Sequence, residues 1–265
     1  MLLFDSHCHL EDDRFSGDRD EVISRMRETG VVCCTCAGSD IKTSKEILKL
    51  SKQYRGVYAA CGVHPHEAKS VEADYLTQLD SMLKQDKCVA LGEIGLDYYY
   101  DNSPRILQAK VFIEQLNLAG KRDMPVIIHV RDAHGDAIDI LKSHRDILKD
   151  GIMHCYSGSV ESAEIYLDLG LYISFAGPVT FKNAKKLQEV AKFVPIERIL
   201  IETDSPYLSP EPVRGKRNEP ANVAHICSFI AKLRKLDVEE FADVTFKNTC
   251  NVYNIDINTA EIFGT

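Results

Sequence analysis

The sequence predicts a parallel (β/α)8 barrel, an α/β fold in which strands and helices alternate eight times. Three observations lead to this prediction. Short apolar runs recur along the 265 residues, most of them are rich in Val, Ile and Cys, and polar segments of helical period lie between them. Strands that are buried on both faces have this composition. Because such barrels reach about 250 residues as one unit, we expect a single domain over residues 1–265.

Eight strands are expected at the apolar runs, and the segments between them account for the helices. The runs are Leu2–Phe4, Val31–Ala37, Val57–Val63, Cys88–Leu91, Pro125–Val130, Gly151–Cys155, Leu171–Ala176 and Ile199–Ile201. The clearest helical segments are Arg19–Thr29, Ser103–Ala119, Ser162–Leu169 and Asn222–Leu236. In the second of these, Ser103 is the expected N-cap and Pro104 the first helical residue. A doubly wound sheet is the alternative, but the Gly-rich turn expected after its first strand is missing.

Composition and charge narrow the class of protein. The net charge is −8, whereas a sequence-independent nucleic-acid binder is usually basic, so any nucleic acid must be bound through cations or a small basic patch. The nine cysteines are scattered, which favours reduced thiols in a cytoplasmic protein. No run approaches the roughly 20 apolar residues that span a bilayer, and the chain turns polar at Asp5, so neither a membrane span nor a signal peptide is expected. Nothing in the sequence indicates an obligate protein partner.

We expect the chemistry at the carboxyl ends of the strands, because polar residues end five of the apolar runs. These ends read Asp5-Ser6-His7-Cys8-His9, Gly92-Glu93-Ile94-Gly95, Ile128-His129-Val130-Arg131, Met153-His154-Cys155 and Glu202-Thr203-Asp204-Ser205. Side chains alternate along a strand, so His7 and His9 share a face while Cys8 points away. In a barrel these ends converge on one mouth, which brings four imidazoles and up to three carboxylates together. Divalent metal ions satisfy such groups, and the joint pattern therefore predicts a metal site.

Two loops at the same mouth carry further candidate binding residues. The loop Arg214-Gly215-Lys216-Arg217 follows the last strand and precedes a helix, so its three cations are expected to form a site for substrate phosphate. Arg131 is a second candidate for this contact. His64 and His66 follow the third strand, and each can bind phosphate or an extra metal, although a plain turn explains His66 equally well.

Two other motifs leave the function open. Cys33 and Cys36 form a C-x-x-C motif, but they lie inside an apolar strand without a second pair, so core packing is favoured. Tyr98–Tyr100 follow the fourth strand, where they can stack on a base or pack under a loop.

The polar motifs, taken in order, resemble the TatD family of metal-dependent deoxyribonucleases, which lies within the amidohydrolase superfamily. The resemblance runs nearly end to end and is carried by Asp5-Ser6-His7-Cys8-His9, Gly62-Val63-His64-Pro65-His66, Gly92-Glu93-Ile94-Gly95-Leu96-Asp97-Tyr98, His129-Val130-Arg131-Asp132-Ala133, His154-Cys155-Tyr156-Ser157-Gly158, Glu202-Thr203-Asp204-Ser205-Pro206-Tyr207-Leu208 and Arg214-Gly215-Lys216-Arg217-Asn218-Glu219-Pro220. It implies two divalent ions that share Glu93 as a bridge. The first would be held by His7, His9, Glu93 and Asp204, and the second by Glu93, His129 and His154.

The resemblance also implies the reaction, which is hydrolysis of DNA phosphodiester bonds by a 3′–5′ exonuclease acting on a single strand or strand end, with a role in DNA repair or degradation. Paired divalent ions activate water for such a reaction. Asp204 is expected to orient that water or take its proton, and Glu93 is the other expected catalytic residue. Arg131, His64 and the Arg214–Arg217 loop would hold flanking phosphates. Mg²⁺ is the family's usual cofactor, whereas four imidazoles suit Zn²⁺, Mn²⁺ or Fe²⁺ better.

Two other functions are compatible with the same residues. An amidohydrolase that cuts a small-molecule amide, lactone or phosphoester would use the same metal pair, but a neutral small substrate has no use for the cations of the Arg214–Arg217 loop. A metal-stabilised DNA-binding module is the non-enzymatic alternative. Against it, Asp204 is a carboxylate in an open mouth rather than part of a closed four-ligand site.

Overall fold

Eight parallel strands form one sheet in the order of the chain, and the computed structural model describes residues 1–256. Residues 257–265, which the predicted domain includes, lie outside this described part. The strands are β1 (Leu3–Cys8), β2 (Val31–Ala37), β3 (Val57–Cys61), β4 (Cys88–Asp97), β5 (Val126–Arg131), β6 (Gly151–Met153), β7 (Tyr172–Phe175) and β8 (Ile199–Ile201). The helices within residues 1–256 are α1 (Arg19–Glu28), α2 (Ile41–Gln53), α3 (Tyr75–Met82), α4 (Arg105–Arg122), α5 (His134–Ser143), α6 (Val160–Asp168), α7 (Lys185–Phe193), α8 (Val223–Arg234) and α9 (Val238–Val252). A helix follows every strand, which confirms the predicted (β/α)8 fold.

The barrel closes between β8 and β1 through the residues that follow β8. The Asp204 amide donates to the His7 carbonyl at 2.9 Å, and the His9 amide donates to the Ser205 carbonyl at 2.7 Å. These bonds flank a parallel bridge between Cys8 and Ser205. The pairing that closes the sheet therefore also brings Asp204 beside His7 and His9.

The barrel interior is filled by a cluster that takes at least one apolar residue from every strand. Its members include Phe4, Cys33, Tyr58, Ala90, Ile127, Ile152, Tyr172 and Leu200. Phe246 of α9 joins the cluster, and its ring centroid lies 6.0 Å from that of Phe4. Because Phe4 lies near the amino end of β1, α9 covers this end of the barrel and leaves the carboxyl end open. No helix within residues 1–256 combines the length and the apolar character that crossing a membrane requires.

The strands β2 and β8 have the predicted bounds, whereas β4 is longer than predicted. It continues past Leu91 to Asp97 because it stays paired with β5, with Gly95 opposite His129 and Asp97 opposite Arg131. This continuation contains glycine and charged residues, so the apolar run of the sequence is shorter than the strand. The other bounds shift by a few residues at either end.

The predicted start of α4 was wrong. The helix begins at Arg105 with Pro104 at the N-cap position, so Ser103 does not cap it. The Ser103 hydroxyl instead donates to the His66 carbonyl at 2.7 Å and accepts from the Lys69 amide at 3.1 Å. Ser103 thus fixes the loop after β3, which is a contact between segments that local sequence patterns do not reveal.

Gly95 allows β4 to approach β5, and its replacement is a test of this packing. Its φ is +141°, and a Cβ at this position would lie 2.0 Å from the carbonyl oxygen of His129. We predict that Gly95→Ala lowers the free energy of unfolding by about 2–3 kcal/mol, because β5 must move away. Gly135→Ala is the matched control, since no atom lies within 4 Å of a Cβ there. Urea denaturation checks both variants, and a Gly95→Ala protein as stable as the wild type would contradict the prediction.

Candidate metal centre

Side chains from the carboxyl ends of the strands meet in an open cleft of about 630 Å³. Part of its lining consists of His9, His64, Glu93, His129, His154 and Asp204. His7 is buried and lies next to His9. The structure thus brings together the side chains that the sequence analysis predicted as metal ligands.

One group of donor atoms consists of His7, His9 and Asp204. Nε2 of His7 lies 3.2 Å from Nε2 of His9, and Nε2 of His9 lies 3.3 Å from Oδ1 of Asp204. The Oε2 atom of Glu93 faces the same group at 3.4 Å from Nε2 of His7. Two imidazoles and two carboxylates therefore point at one small volume.

The other carboxylate oxygen of Glu93 faces a second group of imidazoles. Its Oε1 atom lies 2.8 Å from Nδ1 of His129 and 3.1 Å from Nε2 of His154. Nε2 of His64 lies 3.5 Å from the same oxygen. Glu93 therefore lies between the two groups and presents one oxygen to each.

The separations between these atoms suit ligands of a metal ion. Two neighbouring ligand atoms, each about 2.1 Å from an ion, lie about 3.0–3.4 Å apart in tetrahedral or octahedral geometry. The His7–His9 and His9–Asp204 distances, 3.2 and 3.3 Å, fall in this range. Two facing imidazole nitrogens also need a shared partner when both are unprotonated, because neither can then donate to the other. The donor set therefore fits divalent ions.

Further carboxylates orient the imidazoles from behind. Oε1 of Glu202 lies 2.8 Å from Nδ1 of His154. Oδ2 of Asp97 lies 3.0 Å from Nε2 of His129 and 3.0 Å from Nε2 of His66. Asp97 thus hydrogen-bonds one ring nitrogen of His129, and Glu202 lies at ion-pair distance from one ring nitrogen of His154. Each ring presents its other nitrogen to Glu93, as the imidazole ligands of metal sites do. The sequence did not predict these orienting roles, because a carboxylate at a strand end has the same local pattern whether it binds an ion or a histidine.

Electrostatics make the cleft a site for cations. Burial acts to raise the pKa of Glu93, but His154 and its neighbours outweigh burial and hold this pKa well below its ordinary value. Burial also opposes the charge of His154, yet Glu202 and Glu93 raise its pKa well above the ordinary value. For Asp204, burial is outweighed by the hydrogen bond with His9, and the pKa is lowered. Glu93 and Asp204 are therefore ionised, and they favour a positive charge at the neighbouring imidazoles. Protons and metal ions compete for the nitrogens of these imidazoles.

Asp5 fixes the segment that carries Asp204. Its carboxylate accepts from the Thr203 amide at 2.8 Å and from the Thr203 hydroxyl at 2.5 Å. Asn218 donates to the Thr203 carbonyl at 2.9 Å. Asp204 itself has a φ of +54°, a left-handed conformation that its surroundings must hold in place. The bonds on both sides of Thr203 supply this constraint.

The predicted phosphate contacts fall in different places. Arg131 lines the cleft, and its guanidinium lies 4.0 Å from the centre of the Tyr99 ring. Three other predicted contacts are not part of the cleft lining that residues 1–256 provide, namely Arg214, Lys216 and Arg217. Arg217 forms an ion pair with Asp18 at 2.6 Å. The contact of these three cations with substrate phosphate stays a prediction.

Cys33 and Cys36 pack in the core, as the sequence favoured. Cys33 and Cys36 are buried in two different apolar clusters, and all nine cysteines are unpaired thiols. Sγ of Cys8 lies 3.7 Å from Sγ of Cys36 and contacts the Thr35 carbonyl. Cys8 therefore points away from the histidines on either side of it, as strand alternation predicts.

A parallel barrel whose mouth gathers imidazoles and carboxylates at such distances defines a class, the metal-dependent hydrolases built on this fold. The chain matches the family model described as TatD related DNase over residues 4–254. It therefore belongs to the TatD family of metal-dependent hydrolases, which confirms the resemblance seen in its motifs.

Relatives and a solved structure agree with this membership over nearly the full chain. The chain is 42% identical over 255 residues to the uncharacterized metal-dependent hydrolase YabD of Bacillus subtilis, covering 96% of this chain and 100% of the relative. It is 33% identical over 261 residues to the 3′-5′ ssDNA/RNA exonuclease TatD of Klebsiella pneumoniae, with 97% and 99% covered. The crystal structure of YjjV, a TatD homologue of Escherichia coli, superposes with a TM-score of 0.91 at 32% identity, with 96% and 98% covered.

The role of Asp5 can be tested by stability. We predict that Asp5→Ala lowers the free energy of unfolding by about 2–4 kcal/mol, because two buried donors of Thr203 lose their acceptor. Asp139→Ala, which removes an exposed carboxylate of α5, is the control and is expected to change stability by less than about 0.5 kcal/mol. Chemical denaturation of the two variants measures the difference. Equal stabilities of the two variants would contradict the prediction.

Proposed function

We propose that the chain is a metal-dependent 3′–5′ exonuclease that hydrolyses phosphodiester bonds of single-stranded DNA. The observation that carries this proposal is the position of Glu93, which turns one oxygen toward each of two groups of donor atoms. Membership of the TatD family supports a nuclease, and the Klebsiella pneumoniae relative is named as an exonuclease of single-stranded DNA and RNA. A role in DNA repair or degradation stays a prediction.

We propose two ion positions, with the ligand sets that the resemblance to the TatD family implies. The residues that would hold the first ion are His7, His9, Glu93 and Asp204. The residues that would hold the second are Glu93, His129 and His154. When bound, such a pair lowers the pKa of a water molecule and offsets the charge that develops on the phosphate. The mixed nitrogen and oxygen donors suit Mn²⁺, Zn²⁺ or Fe²⁺, with Mg²⁺ as the cofactor of assays.

Asp204 is the side chain that would handle the proton of the attacking water. Its carboxylate lines the cleft, is 15% exposed and lies 3.3 Å from Nε2 of His9. Burial acts to raise its pKa, but His9 and His154 lower it overall, so the carboxylate is ionised at neutral pH. An ionised carboxylate at this position can orient water and accept a proton.

Arg131 and His64 are the proposed contacts for phosphate within the cleft. The guanidinium of Arg131 lies over Tyr99. It forms no ion pair with a side chain of residues 1–256, so it is available to a phosphate. His64 is buried, which lowers its pKa to about 4 although Glu93 opposes the shift. At neutral pH His64 would therefore meet a phosphate as a neutral hydrogen-bond donor. We keep Arg214, Lys216 and Arg217 as proposed contacts for nucleotides outside the cleft.

The acidic surface is compatible with a DNA substrate. The net charge of −8 is spread over the whole chain, and screening limits the effect of distant charges to about 8 Å at physiological salt. Bound dications at the base of the cleft would supply positive charge where the phosphate binds. Acting on a single strand or a strand end needs less basic surface than enclosing a duplex does.

A hydrolase of small phosphoesters is the second candidate. The cleft lining favours it, because it includes Arg131 but none of the cations of the Arg214–Arg217 loop. Measuring kcat/KM for a single-stranded oligonucleotide and for bis(p-nitrophenyl) phosphate separates the two functions. The proposed nuclease prefers the oligonucleotide by at least about 100-fold, and the reverse preference would identify the small-substrate hydrolase.

Digestion of single-stranded DNA carrying a 5′ label tests the proposed function. We expect stepwise shortening from the 3′ end in Mg²⁺ and none in EDTA. Glu93→Gln is predicted to lower the rate at least about 100-fold, because both ion positions lose a charged ligand. Glu46→Gln, which changes another carboxylate of the cleft lining, is the matched control and keeps most of the activity. A wild-type protein that leaves the DNA intact would contradict the nuclease, and a fully active Glu93→Gln protein would contradict the role of Glu93.

A further inference from the structure

Two exposed tyrosines line the cleft, one beside His9 of the first donor group and one beside His66, which shares the carboxylate of Asp97 with His129. Tyr207 is 47% exposed and lies beside His9, with the two ring centroids 6.1 Å apart. Tyr100 is 55% exposed, and its ring centroid lies 5.5 Å from that of His66. An aromatic ring that is exposed beside a polar cleft is available to stack on a ligand. Neither ring contributes a donor atom to the candidate metal centre.

The backbone of Tyr207 is fixed although its ring is exposed. Its amide donates to the Asp204 carbonyl at 2.9 Å, and its carbonyl accepts from Asn218 at 2.7 Å. The guanidinium of Arg14 lies 4.2 Å from the ring centre, and the Tyr207 hydroxyl donates to Asp12 at 3.3 Å. The ring is thus held beside the cleft by the same segment that carries Asp204.

The backbone of Tyr100 is held in a similar way, by the carboxylate of Asp97. Its amide and that of Tyr99 donate to Oδ1 of Asp97 at 2.9 and 3.0 Å. The two tyrosine rings are perpendicular, with centroids 4.9 Å apart. Arg131 lies over both rings, 4.0 Å from the centre of Tyr99 and 4.8 Å from that of Tyr100. The carboxylate of Asp97 therefore positions an aromatic ring as well as the histidines of the site.

We propose that Tyr207 and Tyr100 are stacking platforms for the two nucleobases on either side of the phosphate that lies over Glu93. This inference rests on the proposed nuclease function. Every base has a π face, so aromatic platforms bind single strands without selecting a sequence. Each platform also carries a guanidinium over its ring, from Arg14 or Arg131, which suits the phosphate that accompanies a base.

The two platforms restrict the strandedness and the minimum length of the substrate, which the metal site does not. Bases in a duplex stack on one another and are not available to a tyrosine, so the platforms select single strands and frayed ends. The smallest substrate that uses both platforms is a dinucleotide. The inference therefore assigns the specificity for unpaired strands to two side chains outside the donor groups.

Kinetics with base-bearing and base-free substrates test the platforms. The probes are a single-stranded oligothymidylate and an oligonucleotide of equal length whose last two 3′ residues are abasic. Tyr100→Ala and Tyr207→Ala should each raise the KM for oligothymidylate about tenfold and change the KM for the abasic strand by less than about twofold. The Tyr→Phe variants keep the aromatic face and the wild-type KM. Phe193→Ala removes a 43% exposed ring at the end of α7 and is the matched control.

Two results would overturn the inference. One is an unchanged KM for oligothymidylate in both alanine variants. The other is an equal rise for both strands, which indicates a structural role rather than stacking.

A binding measurement separates this inference from the nuclease activity. An oligonucleotide with 2-aminopurine as its last 3′ base and hydrolysis-resistant phosphorothioate linkages is titrated with protein in Mg²⁺, so that binding is measured without cleavage. Digestion is assayed separately on the unmodified strand. Wild-type protein should quench the fluorescence, and the double variant Tyr100→Ala/Tyr207→Ala should not. Quenching by the wild-type protein without any digestion in Mg²⁺ would refute the nuclease function and support the stacking role of the tyrosines. Digestion with equal quenching by the wild-type and the double-variant protein would refute only the stacking role.

Discussion

The ionised carboxylate of Glu93 is the group on which the rest of the site depends. It is buried between imidazoles, with Oε2 toward His7 and Oε1 toward His129 and His154. An ionised group without partners is too costly to bury, so its surroundings must supply positive charge. Protons on the histidines or bound cations meet this requirement, and the carboxylates behind the imidazoles keep the rings turned toward Glu93.

The fold and the site are coupled through the closure of the barrel. The bond from the Asp204 amide to the His7 carbonyl completes the sheet and also joins two candidate ligands. Ligands from separate strand ends are close together only in the folded chain, so ions that bind them stabilise the barrel, by about 2.7 kcal/mol at a concentration 100 times the Kd. The two tyrosine platforms depend on the same framework, because Asp97 and the Asp204 segment hold them.

The sequence predicted the fold and the set of residues at the mouth better than their individual roles. The runs of β2 and β8 stop at Gly38 and Glu202, where the strands also stop, so their bounds were correct, whereas β4 continues through Gly92–Gly95 and was predicted too short. The histidines at strand ends were found because parallel strands of a barrel converge. The ion pair of Arg217 with Asp18 could not be predicted, because it joins loops that only the closed barrel brings together. For the same reason, no local pattern distinguishes Glu202, which orients a histidine, from Asp204, which points into the cleft.

Anomalous diffraction from crystals of the protein grown with Mn²⁺ shows whether Glu93 lies between two ions. We expect two anomalous peaks, one bonded to each carboxylate oxygen of Glu93 at about 2.0–2.3 Å. One peak would be shared with His7, His9 and Asp204, and the other with His129 and His154. A single ion, or ions that do not touch Glu93, would disprove the proposed role of Glu93.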